Sequence, residues 1–122
     1  MPPPPPYDGC HLIADLHGAK RLDDLAFVEE VLRAAAKAAE ATLLNVTLHH
    51  FGPGMGVTGV ALLAESHISV HTWPEHGYVA LDMFLCGRSD TISRALAVVV
   101  EMFAAERLNE TRHRRGYGAA AG

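Results

Sequence analysis

The period of apolar and polar positions changes several times along the chain. Residues 11–15 form a short apolar run that reads as a strand. Asp23 or Asp24 then caps a helix running to about residue 41, with Leu25, Val28, Leu32, Ala35 and Ala39 recurring at steps of three and four. Its alanines favour helix and leave a shallow face suited to lying on a sheet. Residues 42–51 switch to alternation. Leu44, Val46 and Leu48 take one side and Asn45, Thr47 and His49 the other, the pattern of a half-buried strand.

Gly52, Pro53, Gly54, Met55 and Gly56 read as a loop by composition. Strands are predicted at 57–65, 66–71 and 78–85, with Pro74 and Gly77 marking the turn between the last two. Asp90 caps a second helix over 91–106, whose stripe is Ile92, Leu96, Val99 and Phe103, and a last strand covers 107–112. One helix after the first strand and one after the run of hairpins indicate an α+β fold: a mainly antiparallel sheet with two helices packed on one face. The other sheet face is left needing cover, and a second copy in a homodimer, its sheet facing or adjoining this one, is the obvious candidate.

Length fits a single domain: 122 residues, 49% of them hydrophobic and 20% charged. Residues 1–8 form a proline-rich leader, extended and mobile because Pro2 to Pro6 donate no backbone hydrogen bonds. The domain occupies 9–116. From residue 112 the chain turns basic and then rich in Gly and Ala, reading as a frayed end with Arg112, Arg114 and Arg115 solvated and 117–122 as a flexible tail. A net charge of −4 argues against a general nucleic-acid binder. Two cysteines, Cys10 and Cys86, allow one disulfide at most. With no export signal and no membrane-length apolar run, the expectation is a cytoplasmic protein with free thiols and no membrane partner.

The eight histidines are a surplus at this length. His49, His50, His67, His71, His76 and Cys86 invite a non-catalytic metal-binding reading, but their spacings match no standard zinc pattern, and strand alternation sends His49 and His50 to opposite faces. Ser66 sits in no Gly-x-Ser-x-Gly elbow, so a serine hydrolase lacks support. Taken alone, Cys86 ends an apolar strand, where a thiol is usually inert.

Taken together, the segment carries more. Glu65-Ser66-His67, then His71-Thr72-Trp73-Pro74-Glu75, Gly77-Tyr78, Asp82, Phe84 and Cys86-Gly87 resemble the signature of the bacterial and archaeal S-adenosylmethionine decarboxylases. These are small pyruvoyl-dependent enzymes of spermidine synthesis. The likeness extends upstream through His50-Phe51-Gly52-Pro53, Gly56-Val57-Thr58-Gly59-Val60 and Leu22-Asp23-Asp24, covering roughly residues 9–116.

The resemblance implies that the precursor cuts itself between Glu65 and Ser66, giving a β chain of 1–65 and an α chain of 66–122. Ser66 then becomes a covalent pyruvoyl group, the sole cofactor, with neither metal nor pyridoxal phosphate. Ser66 Oγ attacks the Glu65 carbonyl, and the tetrahedral oxyanion needs a fixed donor, for which Thr58 is the match. His71 matches the base that removes the Ser66 Cα proton, which imidazole can do at cellular pH. Elimination and hydrolysis leave the pyruvoyl group and ammonia. That group condenses with the substrate amine and accepts electrons as carbon dioxide leaves, and Cys86 matches the donor that returns a proton, since an ordinary thiol is mostly protonated at neutral pH. Glu75 fits a carboxylate for the ribose hydroxyls and Phe51 an aromatic face for the adenine and the sulfonium. Trp73 fits a pocket wall or a packing anchor. The implied substrate is S-adenosyl-L-methionine, with arginine or ornithine as the alternative on the same chemistry, and the family builds two active sites at a dimer interface.

Overall fold

The computed structural model describes residues 8–64, 66–86 and 89–117, except for the side chains of Cys86 and Ser89. Residues 1–7 of the proline leader, Glu65, Gly87 and residues 118–122 of the expected tail lie outside that set. The elements run β1 (Gly9–His17), α1 (Leu25–Ala38), β2 (Leu43–His50), β3 (Val57–Leu63), β4 (Ser66–Trp73), β5 (Tyr78–Cys86), α2 (Ser89–Met102) and β6 (Arg107–Arg115), with a 3-10 turn at Pro74–His76. The strands form one six-stranded antiparallel sheet in the order β2-β3-β4-β5-β1-β6. The predicted α+β class therefore holds. Among the described residues, no helix is long and apolar enough to cross a membrane.

Both helices cover one face. Leu12, Leu16, Val57, Ala61, Ile68, Val70, Val79, Leu81 and Met83 point into the core from β1, β3, β4 and β5. Ile92, Ala95, Leu96, Val99 and Phe103 meet them from α2 and the residue just past it. Phe103 packs edge-on against Phe27, with centroids 5.7 Å apart. Gly59 lets α1 come close, since a Cβ there would stand 2.9 Å from Leu32 Cδ1.

Four local expectations change. On α1, Asp24 is the cap, its side chain accepting from Phe27 N, but the buried stripe is Phe27, Val28, Val31, Leu32, Ala35 and Ala36. Leu25 is exposed and Ala39 only partly covered, because the helix packs on both the sheet and α2 and so buries a wider stripe centred farther round. On β2, the ladder pairs Leu43 with Leu63 and then Asn45 with Leu62. The extra residue is Leu44, which is 65% exposed, while Leu43 packs on the core in its place. At the C-terminal side, the basic stretch does not fray at residue 112. β6 pairs with β1 over its full length, Arg107 with His17 through Arg115 with Gly9. The open edge of β1 offers hydrogen-bond partners that propensity alone does not register. Asp90, expected as a cap, lies in the first turn of α2, where its charge suits the helix dipole.

Strand parity gives the uncovered face its residues. Across β3, β4, β5, β1 and β6, one row reads Thr58, His71, Ala80, Asp15, Asn109, and another Leu62, His67, Phe84, His11, His113. Ile13, Leu62 and Trp73 are among its exposed large apolar side chains.

Candidate active site

At one end of the open face, the β2–β3 loop and the turn after β4 enclose a cleft of about 400 Å³. It is lined by Phe51, Met55, Gly56, Thr58, His71, Thr72, Trp73 and Glu75. Five of the sequence-derived candidates thus converge. Thr58 and His71 are directly opposed on β3 and β4, with Thr58 Oγ1 3.0 Å from His71 Nδ1. A His71 tautomer that donates Nδ1–H to Thr58 leaves Nε2 free to accept a proton and the threonine O–H free to donate elsewhere. Phe51 stands 58% exposed, edge-on to His49 at 4.6 Å. Glu75 projects from the 3-10 turn, which ends on Gly77 in the left-handed region at φ +58.

Met55, Gly56 and Thr72 were not among the candidates, and the last two hold the cleft together. Thr72 is buried. Its hydroxyl donates to Leu22 O (2.6 Å) and accepts from Val57 N (2.8 Å), tying the approach to α1 and the start of β3 to β4. Gly56 is packed so closely that a Cβ would fall 2.0 Å from Thr72 O. On its far side, Trp73 stacks on Tyr78 at 5.2 Å, and Tyr78 stacks on His17 at 5.4 Å. The Tyr78 O–H donates to Asp15 Oδ1, which raises the phenol's pKa, and partial burial adds to the shift. Trp73 is therefore both a wall of the cleft and a packing anchor.

Ser66 is elsewhere. It opens β4 whereas His71 lies near its far end, five residues or roughly 17 Å along an extended strand. Ser66 lines a second, open cleft of about 360 Å³ with His67, Phe84 and Arg115. Its Oγ is 3.5 Å from Ala64 O. Around it, His11 Nε2 lies 2.7 Å and His67 Nε2 3.7 Å from Asp82 Oδ1. Phe84 stacks with His67 and meets His11 edge-on. The strand period alone could have put Asp82 and Phe84 on one face of β5. His11 and Arg115, 104 positions apart, gave no such signal. Cys86 ends β5 in register with Gly9. No group of three His, Cys, Asp or Glu side chains among the described residues is arranged to hold a metal ion.

Comparison with known proteins bears on this arrangement. Residues 10–116 match the family model described as S-adenosylmethionine decarboxylase. The S-adenosylmethionine decarboxylase proenzyme of Parasynechococcus marenigrum (strain WH8102) is 52% identical over 101 residues, 81% of this chain and 78% of that one. That of Thermomicrobium roseum is 42% identical over 108 residues, 88% of this chain and 93% of the relative. The crystal structure of the adenosylmethionine decarboxylase from Aquifex aeolicus VF5 superposes with a TM-score of 0.83 at 35% identity, covering 95% of this chain and 97% of that one. The match spans both clefts and the strands that carry them, and the chain belongs to the S-adenosylmethionine decarboxylase family.

Proposed function

We propose that this chain is a self-cleaving proenzyme that decarboxylates S-adenosyl-L-methionine, supplying the decarboxylated product for spermidine synthesis, and that its working form is a homodimer with two shared sites. The observation that carries the reading is the hydrogen-bonded Thr58–His71 pair in a cleft walled by Phe51, Trp73 and Glu75.

In processing, Ser66 Oγ attacks the Glu65 carbonyl, Thr58 donates its hydroxyl to the oxyanion, and His71 Nε2 takes the Ser66 Cα proton. Ser66 lines an open cleft, so there is room for a ketone at that position and for a substrate to reach it. When formed, the pyruvoyl group supplies the electrophile for the substrate's amine and the sink for the electrons released with carbon dioxide. Cys86 returns the proton. Glu75 accepts from the ribose hydroxyls, and Phe51 and Trp73 offer aromatic faces to the adenine and the cationic sulfur.

The separation of Ser66 from His71 supports the dimer. The two cannot meet within one copy of this fold. A two-fold partner laid against the open face brings the Ser66 end of one copy to the His71 end of the other. The exposed Ile13, Leu62 and Trp73 on that face are the kind of surface such a partner covers.

Denaturing mass spectrometry of the purified protein tests the proposal, together with carbon dioxide release from S-adenosylmethionine, arginine and ornithine. The expected result is two fragments divided between Glu65 and Ser66, the second blocked at its N-terminus, and release from S-adenosylmethionine alone. An intact chain in active protein, or release from arginine or ornithine only, overturns it.

A further inference from the structure

Among the described residues that line the Ser66 cleft, Arg115 is the one that neither the motif nor the processing chemistry uses. It lies near the end of β6, the strand farthest along the sheet from β2 and β3. Its guanidinium carbon sits over the Phe84 ring, 4.8 Å from the centroid, which holds the group above the cleft floor. Its Nη1 is 3.3 Å from His11 Nδ1, and the other nitrogen of His11 faces Asp82. With Nε2–H of His11 donating to Asp82, Nδ1 accepts from Arg115. One N–H of the fork is thereby committed, and among the described residues the others have no hydrogen-bond partner.

The nearby carboxylate does not neutralise this charge. Asp82 lies against His11 and His67, and among the described residues no carboxylate pairs with Arg115, unlike Arg112 with Glu110 and Arg114 with Asp8. Register adds a second relationship. Arg115 pairs with Gly9 on β1, and Gly9 pairs with Cys86 on β5. Arg115 and Cys86 therefore stand in one row, about two strand spacings or roughly 10 Å apart, and the residue between them has no side chain.

We propose that Arg115 binds the α-carboxylate of the substrate at the Ser66 end of the site. This rests on the decarboxylase reading above. An amino acid held by its amine at residue 66 carries its carboxylate one carbon away, in the cleft that Ser66 and Arg115 both line. A guanidinium fork matches a carboxylate in two parallel N–H···O bonds. Arg115 is thus a specificity residue, selecting substrates that still have the group to be removed. The charge it holds disperses as carbon dioxide leaves, so the contact favours binding over the chemical step.

The test compares Arg115→Gln and Arg115→Lys with the parent chain, using S-adenosylmethionine as the carboxylate-bearing ligand and its decarboxylated product as the carboxylate-free one. Cleavage is followed by mass spectrometry, turnover by carbon dioxide release, and product binding by calorimetry. For Arg115→Gln the expected result is normal cleavage, a KM for substrate raised about tenfold or more, kcat not reduced, and product affinity changed less than about twofold. Arg115→Lys falls between the two. Equal weakening of substrate and product overturns the assignment, as does a fall in kcat at unchanged KM, or loss of cleavage in both variants. If the parent chain itself releases no carbon dioxide from S-adenosylmethionine, the decarboxylase reading fails first, on a separate measurement.

Discussion

Thr58 and His71 face each other across the β3–β4 ladder, with Oγ1 and Nδ1 3.0 Å apart. This contact orients the imidazole and leaves its other nitrogen free, so the hydroxyl should matter more than the bulk of the threonine. Thr58→Val keeps the shape and loses the donor. Cleavage should slow by about a hundredfold or more, the scale seen when one oxyanion donor is removed. Thr58→Ser should cleave at close to the parent rate. A time course of the cleaved fraction decides it, and a Val variant that matched the parent would strip Thr58 of its role.

A shared site makes a sharper prediction. Ser66→Ala and His71→Ala should each stay intact when made alone. Made together, the chain that keeps Ser66 should be cut, because a partner supplies His71. Tagging the two chains with different masses shows which one is cleaved. No cleavage in a demonstrated mixed dimer would mean that both groups act from one copy.

Gly56 and Thr72 set the position of the cleft wall. Gly56→Ala places a Cβ 2.0 Å from Thr72 O, a backbone atom with little freedom to yield. We expect a loss on the order of 1–3 kcal/mol in urea unfolding and slower cleavage as β3 shifts against β4. Thr72→Val leaves Leu22 O and Val57 N without their buried partner, costing roughly 2 kcal/mol. Near-parent stability in both would show that the loop adjusts at small cost.

Asp24 gives a pH signature. Its carboxylate accepts from Arg21 and from Phe27 N, which lower its pKa from 3.8, the Arg21 side-chain hydrogen bond contributing most. A lowered folded-state value means stability that is present above the unfolded pKa and is lost as pH falls through the folded one. Asp24→Asn still caps α1 but carries no titrating charge. The melting-temperature gap between parent and variant should be constant above about pH 5 and shrink as pH falls below about 4. A gap that stays flat down to pH 2 would contradict the assignment.

Much of this was legible in the chain because the signals are local. The strands expected at 57–65 and 78–85 correspond to β3 and β5, the spacing of Ile92, Leu96, Val99 and Phe103 gave the buried stripe of α2, and the Asp23-Asp24 pair marked the start of α1. Leu44 misled because a single-residue bulge reverses alternation, and nothing in the local pattern marks one. Arg112, Arg114 and Arg115 read as a solvated end because a polar edge strand lacks an apolar period; its order comes from pairing with β1, about a hundred residues earlier.

The sequence by itself determined most of the elements and the family and named the candidate reactive groups, since these readings depend on residue types at short spacings. Only the tertiary structure decided which groups share a cleft. Strand direction carries Ser66 and His71 to opposite ends of β4, although they are five residues apart in sequence. Sheet order brings Arg115 to Ser66 and His11 to Asp82 from distant segments. The physical reason is that an extended strand separates near neighbours along the chain, whereas backbone pairing between strands joins residues with no local relation.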